Sequence, residues 1–213
     1  MKNAGKDFEK QWQDSCKIFK SYFLRLVDSN KFGFGDQTRF TPENKCDAIQ
    51  YAIPFMMMLE LKSTKGTGVS FNPKRPWEKI KGKTPSIKPN QVSSLAEASC
   101  YNGIIAGLII NFRERSTKTK EFGNETFFVH VNDFLDFAEN TDKSSISRED
   151  CEKIGLLIPQ TKKISKYTYH IDLFEKNVIQ DCIDKGRIDL PSIQKILDYI
   201  GSESLSIQDT ITK

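Results

Sequence analysis

Histidine and closely spaced cysteines are scarce in this 213-residue sequence. It contains two His and five Cys, and the cysteines, at positions 16, 46, 100, 151 and 182, form no CxxC pair. This spacing argues against a structural zinc site. Scattered thiols of odd number are typical of small core side chains in a reducing cytoplasm. No Ser or Cys has a suitably placed His, so nothing points to a nucleophilic triad.

Long hydrophobic runs are absent as well. The longest apolar run is far too short to cross a bilayer. The first thirteen residues are polar, which argues against a signal peptide. We therefore expect a cytoplasmic protein that makes no contact with a membrane.

The net charge of +4 is small, but its distribution is uneven. Between Lys62 and Lys88 eight Lys or Arg residues face a single acid, Glu78. A local basic excess of this kind suits a polyanion such as nucleic acid, although a solvated flexible loop is the alternative. The residues predicted to contact DNA are Lys65, Lys74, Arg75, Lys79, Lys81, Lys83 and Lys88.

This basic segment, residues 64–89, is long, polar and rich in Gly, Pro and Lys. Loops of such length in a compact domain are usually functional or disordered. Phe71 and Trp77 lie among the basic residues. They either stack on unpaired bases or anchor the loop to the core.

Two carboxylates and a lysine come together in a predicted hairpin. The apolar run Phe55–Ser63 is typical of a buried strand, in which Glu60 and Lys62 face one side and Leu59 and Leu61 the other. Asp47 lies thirteen residues before Glu60, on a predicted strand over 45–50. An antiparallel turn over 51–54 would bring Asp47 back beside Glu60.

These residue types suit phosphodiester hydrolysis with a divalent cation. Asp47 and Glu60 would hold Mg²⁺, and the carbonyl of Leu61 is expected to add a ligand. Lys62 would orient or deprotonate the attacking water, or offset charge in the transition state. The alternative is a structural Glu–Lys pair at a sheet edge, because E-x-K tripeptides are common.

The remaining pattern predicts an α/β fold. A helix over 6–26 carries Glu9 at the edge of its apolar stripe, and a helix over 90–101 carries Gln91 in its first turn. Apolar strands are predicted over 104–112 and 126–131, with a charged loop over 113–125 between them. This order predicts a mixed central β-sheet flanked by helices.

Several blocks of the sequence resemble a known nuclease family. The motif Asp47-x12-Glu60-Leu-Lys62 is similar to the signature of PD-(D/E)XK nucleases. Within that superfamily the chain resembles the RecU-type Holliday-junction resolvases of Gram-positive bacteria and their phages. The further similar blocks are Gly5-Lys-Asp-Phe-Glu9, Lys88-x-x-Gln91, Ile104–Phe112, Lys143–Ser147 with Ile154-Gly155, and Tyr169–Leu173.

The resemblance implies a restriction-endonuclease-like domain over residues 1–175 and a C-terminal helical extension over 176–213. It implies a homodimer that uses Mg²⁺, with Mn²⁺ as a substitute, to cut four-way DNA junctions by paired nicks in recombination and repair. Asp47, Glu60 and Lys62 match its catalytic motif, with Gln91 and Glu9 as supporting site residues.

The sequence departs from the RecU pattern in three places. Cys16 stands where that family usually has Asn, and the segment after the first helix is too short for a protruding stalk that enters the junction. The segment after Asn177 is an addition. Two alternatives therefore stay open: a restriction-like or repair nuclease that acts on another DNA shape, and an inactive DNA-binding module on the same fold.

Overall fold

A mixed α/β architecture is seen in a computed structural model, which describes residues 4–26, 44–164, 166–189, 191 and 194. The helices of these residues are α1 Ala4–Ile18, α2 Pro89–Ser99, α3 Val131–Asn140, α4 Arg148–Ile154 and α5 Ile171–Asp184. The chain divides into two compact units, Met1–Glu175 and Lys176–Lys213. The described strands all lie in the first unit.

A six-stranded sheet forms the centre of the first unit. Its strands, in spatial order, are β1 Tyr22–Arg25, β2 Ala48–Ala52, β3 Phe55–Thr64, β5 Ile104–Phe112, β8 Glu125–His130 and β10 Leu156–Leu157. Among the strands that the structure describes, only β3 and β5 pair in parallel, and α2 makes the crossover between them, as parallel neighbours require. The predicted mixed sheet with flanking helices is confirmed.

Three two-stranded ribbons accompany this sheet. They are β4 Gly68–Ser70 with β9 Ser145–Ser147, β6 Arg115–Ser116 with β7 Glu121–Phe122, and β11 Gln160–Lys163 with β12 Lys166–Tyr169. The β6–β7 hairpin occupies the segment predicted as a charged loop. The predicted basic loop contains β4, so it is more ordered than its composition indicates.

Apolar side chains cover both faces of the sheet. On one face Leu108 and Val129 join the core beneath α2 and α3, where Leu95 and Phe134 are buried. On the other face Trp12 of α1 packs against Tyr169 and Phe174, with ring centroids 5.2 Å apart in each pair. The strands β3, β5 and β8 are buried on both faces, which explains their nearly continuous apolar sequences.

The predicted first helix was too long. It ends at Ile18, and the chain then enters β1. Lys20 has a left-handed backbone with φ of +56°. The N–H of Ser21 donates to the carbonyl of Cys16 at 2.9 Å, which closes the helix with a Schellman-type turn. A glycine usually marks this position, and none stands here.

The β2–β3 turn is shorter than predicted. Tyr51 and Ala52 belong to β2, and only Ile53 and Pro54 connect the strands. The register pairs Ala48 with Leu59, so that Asp47 comes level with Glu60. The sequence also predicts a short edge strand around 38–40 and, within the C-terminal extension, a helix over 192–200. The strand and most of that helix lie outside the described residues.

Candidate active site

Glu60 and Lys62 lie near the C-terminal end of β3 on the face that α2 covers. The Glu60 side chain is fully buried, and 17% of the Lys62 side chain is exposed. The Lys62 ammonium donates to Oε1 of Glu60, with an Nζ–Oε1 distance of 2.5 Å. The strand period of two explains why both side chains share one face, as the sequence predicts.

Gln91 reaches the same carboxylate from the first turn of α2. Its Nε2 donates a short hydrogen bond to Oε1 of Glu60. Its Oε1 accepts the backbone N–H of Lys88 at 2.9 Å, which satisfies one of the free N–H groups at the helix start. Gln91 therefore fixes the carboxylate of Glu60 and caps α2 at the same time.

Asp47 lies directly before β2 and next to Glu60. Its N–H donates to the carbonyl of Leu59 at 3.1 Å, and its Oδ2 accepts the N–H of Leu61 at 2.9 Å. The N–H and C=O of one strand residue face the same neighbour, so the Leu61 carbonyl also points towards the side of Asp47.

Burial dominates the electrostatics of Glu60. It raises the pKa of this carboxyl from its ordinary 4.5 to about 8; Lys62 lowers the pKa and Asp47 raises it. Oε2 of Glu60 is buried and has no hydrogen-bond partner. A proton on Glu60 would let it donate to the Asp47 carboxylate, whereas two ionised carboxylates have no donor to share.

Glu9 extends from α1 to the edge of this cluster. Burial raises its pKa, while Arg25 lowers it; Asp47 and Lys62 contribute smaller opposing effects. Oε2 of Glu9 lies 2.5 Å from Nη2 of Arg25, a residue of β1. Sequence reasoning missed Arg25, because it fell inside the predicted first helix and no motif marks it.

The donor set fits a hard divalent cation. Two carboxylates and a strand carbonyl are oxygen ligands, which Mg²⁺ and Mn²⁺ prefer. The unpartnered Oε2 of Glu60 leaves one carboxylate oxygen available for a cation. The described residues contain no group of three or more His, Cys, Asp or Glu arranged to hold a metal. Asp47, Glu60 and the Leu61 carbonyl would hold the cation, and Glu9, in an ion pair with Arg25, lies at the edge of this donor set.

The predicted DNA-contacting residues divide into two groups. Lys74 pairs with Asp142 at 3.1 Å, and Arg75 pairs with Glu78 at 3.2 Å. Within the described residues no ion pair is found for the exposed side chains of the others, namely Lys65, Lys79, Lys81, Lys83 and Lys88.

The aromatic residues of the basic segment have different environments. Phe71 is buried, and its ring centroid lies 5.3 Å from that of Phe134, so it anchors the segment to the core. Trp77 is 42% exposed. Lys88, the residue before α2, places the end of this segment directly beside the Glu60 cluster.

Among the described residues, no helix combines the length and the hydropathy needed to cross a membrane. No protein-family model matches the chain. Among solved structures, the Holliday junction resolvase Hjc of Archaeoglobus fulgidus is similar, with 16% sequence identity and a TM-score of 0.42. The similarity covers 71% of this chain and 94% of Hjc. A likeness of that size supports no statement about activity.

A curated relative is considerably more similar in sequence. The SPbeta prophage-derived uncharacterized protein YotM of Bacillus subtilis (strain 168) is 33% identical over 182 residues. The match covers 80% of this chain and 84% of YotM. The chain belongs to the family of the prophage protein YotM.

Proposed function

We propose that this protein is a metal-dependent, structure-selective DNA endonuclease, similar to RecU-type resolvases, that cuts four-way junctions by paired nicks. The observation that carries the proposal is the environment of Glu60. Its buried carboxylate has one oxygen bound by Lys62 and Gln91, and its other oxygen is unpartnered beside Asp47. A purely structural Glu–Lys pair needs neither a second acid nor an unsatisfied buried oxygen.

Each residue has a separate role in this proposal. Asp47, Glu60 and the Leu61 carbonyl would hold Mg²⁺ or Mn²⁺, which would supply positive charge and make a water molecule more acidic. Lys62 places an ammonium next to the reacting phosphate, where it orients the water or offsets the developing negative charge. Gln91 keeps the Glu60 carboxylate in place. Glu9 is a supporting carboxylate that Arg25 positions.

DNA is recognised through its phosphate backbone. The five basic residues without an ion pair lie in the segment between the end of β3 and the start of α2, namely Lys65, Lys79, Lys81, Lys83 and Lys88. Phosphate contacts position a duplex without reading its sequence. A homodimer would present two such sites in twofold symmetry, which suits paired nicks on a junction.

The test uses Asp47→Asn and Glu60→Gln, with Glu97→Gln as a control. Glu97 is an exposed acid of α2, and its side chain is 57% exposed. Each protein is incubated in Mg²⁺ with a labelled four-way junction and with a linear duplex of the same sequence. DNA affinity is measured separately in EDTA.

The two site variants should cut at least about 100-fold more slowly than wild type and the control, because transition-state charge is no longer stabilised. Their DNA affinity should be retained. Cutting by both variants at the wild-type rate would refute this site. Faster cutting of a flap, single strand or linear duplex would identify a nuclease for another DNA shape. Binding by wild type without cutting in Mg²⁺ or Mn²⁺ would identify an inactive DNA-binding module.

A further inference from the structure

A second basic surface lies on the β6–β7 hairpin, which follows the end of β5. The register pairs Lys62 with Ile110, and the N–H of Arg113 donates to the carbonyl of Thr64 at 2.9 Å. The segments that follow β3 and β5 therefore leave the sheet side by side, at the C-terminal ends of these two strands. Arg115 follows Ile110 by five residues, which corresponds to about 16 Å along an extended chain.

The β11–β12 hairpin is joined to β6–β7 through one acid. Glu114 accepts hydrogen bonds from Nζ of Lys162 at 2.6 Å and from the Tyr167 hydroxyl at 2.9 Å. These two donors lower the pKa of Glu114, so it stays ionised. One surface therefore includes both hairpins.

The charges of this surface are unbalanced. Residues 113–125 and 160–169 contain seven Lys or Arg and three acids. Two of the acids are already paired, Glu114 with Lys162 and Glu125 with Arg148, and Glu121 is the third. In the described part of the chain no acidic partner is found for Arg115, Lys118, Lys120, Lys163 and Lys166.

The cations on β6–β7 are held in place. The guanidinium of Arg115 lies 4.6 Å from the ring centroid of Phe122, and Nζ of Lys120 lies 4.8 Å from it on the same hairpin. Thr117 and Lys120 exchange hydrogen bonds that close the turn. Cations fixed over an aromatic ring lose less conformational freedom when they bind an anion than free lysines do.

We infer that the β6–β7 and β11–β12 hairpins form a second binding surface for the phosphate backbone of duplex DNA. This surface holds the duplex arm at a point about half a helical turn from the active site. The spacing of about 16 Å is close to half of the roughly 34 Å length of one DNA turn. Lysine and arginine that meet phosphates act independently of sequence. The inference rests on the proposed function only in taking DNA as the bound molecule.

The test measures DNA affinity without any cutting. Lys118→Gln/Lys120→Gln is compared with wild type and with Lys17→Gln/Lys20→Gln, which removes the same charge from the last turn of α1 and the residues just after it, away from the β6–β7 hairpin sequence. A fluorescein-labelled 30-base-pair duplex is titrated in EDTA, with anisotropy recorded from about 50 to 300 mM NaCl. Circular dichroism melts check that each variant is folded.

Each lost phosphate contact lowers the slope of log affinity against log salt by about 0.9. The hairpin variant should therefore lose about 1.8 in slope and bind about tenfold or more weakly at 100 mM salt, whereas the control variant should bind like wild type. Lys163→Gln/Lys166→Gln tests the second hairpin independently and should have a similar effect.

Unchanged affinity and slope in both hairpin variants would overturn the inference, as would equal weakening in the control variant. Single-turnover cutting in Mg²⁺ at saturating DNA separates this inference from the proposed nuclease activity. The hairpins do not touch the reacting phosphate, so that rate should stay within about twofold of wild type. If wild type does not cut, the affinity measurements still decide whether the hairpins bind DNA.

Discussion

Replacing Glu60 by Gln is expected to stabilise the metal-free protein at alkaline pH. The Glu60 side chain is fully buried, and its pKa is raised from 4.5 to about 8, mainly by burial. Gln mimics the protonated acid. Its oxygen can accept from Lys62 and Gln91, and its NH₂ can donate to Asp47 in place of the unpartnered Oε2.

The direction of this pH dependence follows from proton binding in the folded and unfolded states. Between pH 4.5 and about 8 the folded protein keeps a proton on Glu60 that the unfolded chain has released. Stability therefore falls as pH rises through this window, by at most about 1.4 kcal/mol per pH unit. The whole window corresponds to a ceiling of about 5 kcal/mol, and relaxation around the charge reduces it.

Urea denaturation in EDTA at pH values from 5.5 to 8.5 measures this difference. The free energy of unfolding of wild type should decline relative to Glu60→Gln as the pH rises, and the gap should stop growing near pH 8. Glu97→Gln is the matched control, and its difference from wild type should stay constant over the range. A gap between wild type and Glu60→Gln that does not change with pH would refute a protonated Glu60.

Adding Mg²⁺ to the same denaturation experiment tests whether Glu60 binds the cation. A cation that binds only the folded protein at 100 times its dissociation constant stabilises it by about 2.7 kcal/mol. Wild type at pH 8 should gain that stability and Glu60→Gln should gain much less. Equal stabilisation of the two proteins would place the cation elsewhere.

Three further substitutions test the surroundings of the site. Gly107→Ala should cost about 1–3 kcal/mol in urea denaturation, because its Cβ would lie 2.5 Å from Cε2 of Phe128; an unchanged midpoint would contradict this packing. Gln91→Leu removes a donor to Glu60 and should slow single-turnover cutting at least tenfold with DNA affinity in EDTA unchanged; a wild-type rate would contradict the positioning role. Asn111→Ala should cost about 2–3 kcal/mol, because this buried amide makes three side-chain hydrogen bonds; a loss below about 0.5 kcal/mol would contradict it.

The central strands were predictable because their sequences are long, apolar and bounded by turn residues. The predicted strand over 104–112 matches β5, and the strand over 55–63 differs from β3 by one residue. The approach of Asp47 to Glu60 was also predictable, since a hairpin between neighbouring strands is a local structure.

Other features of the fold could not be predicted, because nothing in the neighbouring sequence indicates them. The first helix ends where Lys20 takes a left-handed backbone, which glycine usually provides, so its apolar stripe was extended too far. The strands β6 and β7 have two residues each, too few for an alternating pattern. Arg25 reaches Glu9 only because β1 pairs with a strand that begins at Ala48. Such contacts depend on the complete fold.

In the proposed site, the ionised form of Glu60 that activity requires is the less stable form of the metal-free protein. Without a cation, the fold is most stable when Glu60 is protonated, yet a metal ligand must be ionised. Lys62 reduces this conflict by placing a positive charge 2.5 Å from Oε1. Gln91 adds a donor that does not depend on pH. When Glu60 is ionised, its buried, unpartnered Oε2 is the remaining cost, and a bound cation would remove it. An unsatisfied carboxylate that costs stability is therefore what a metal-dependent enzyme requires and what a structural ion pair would avoid.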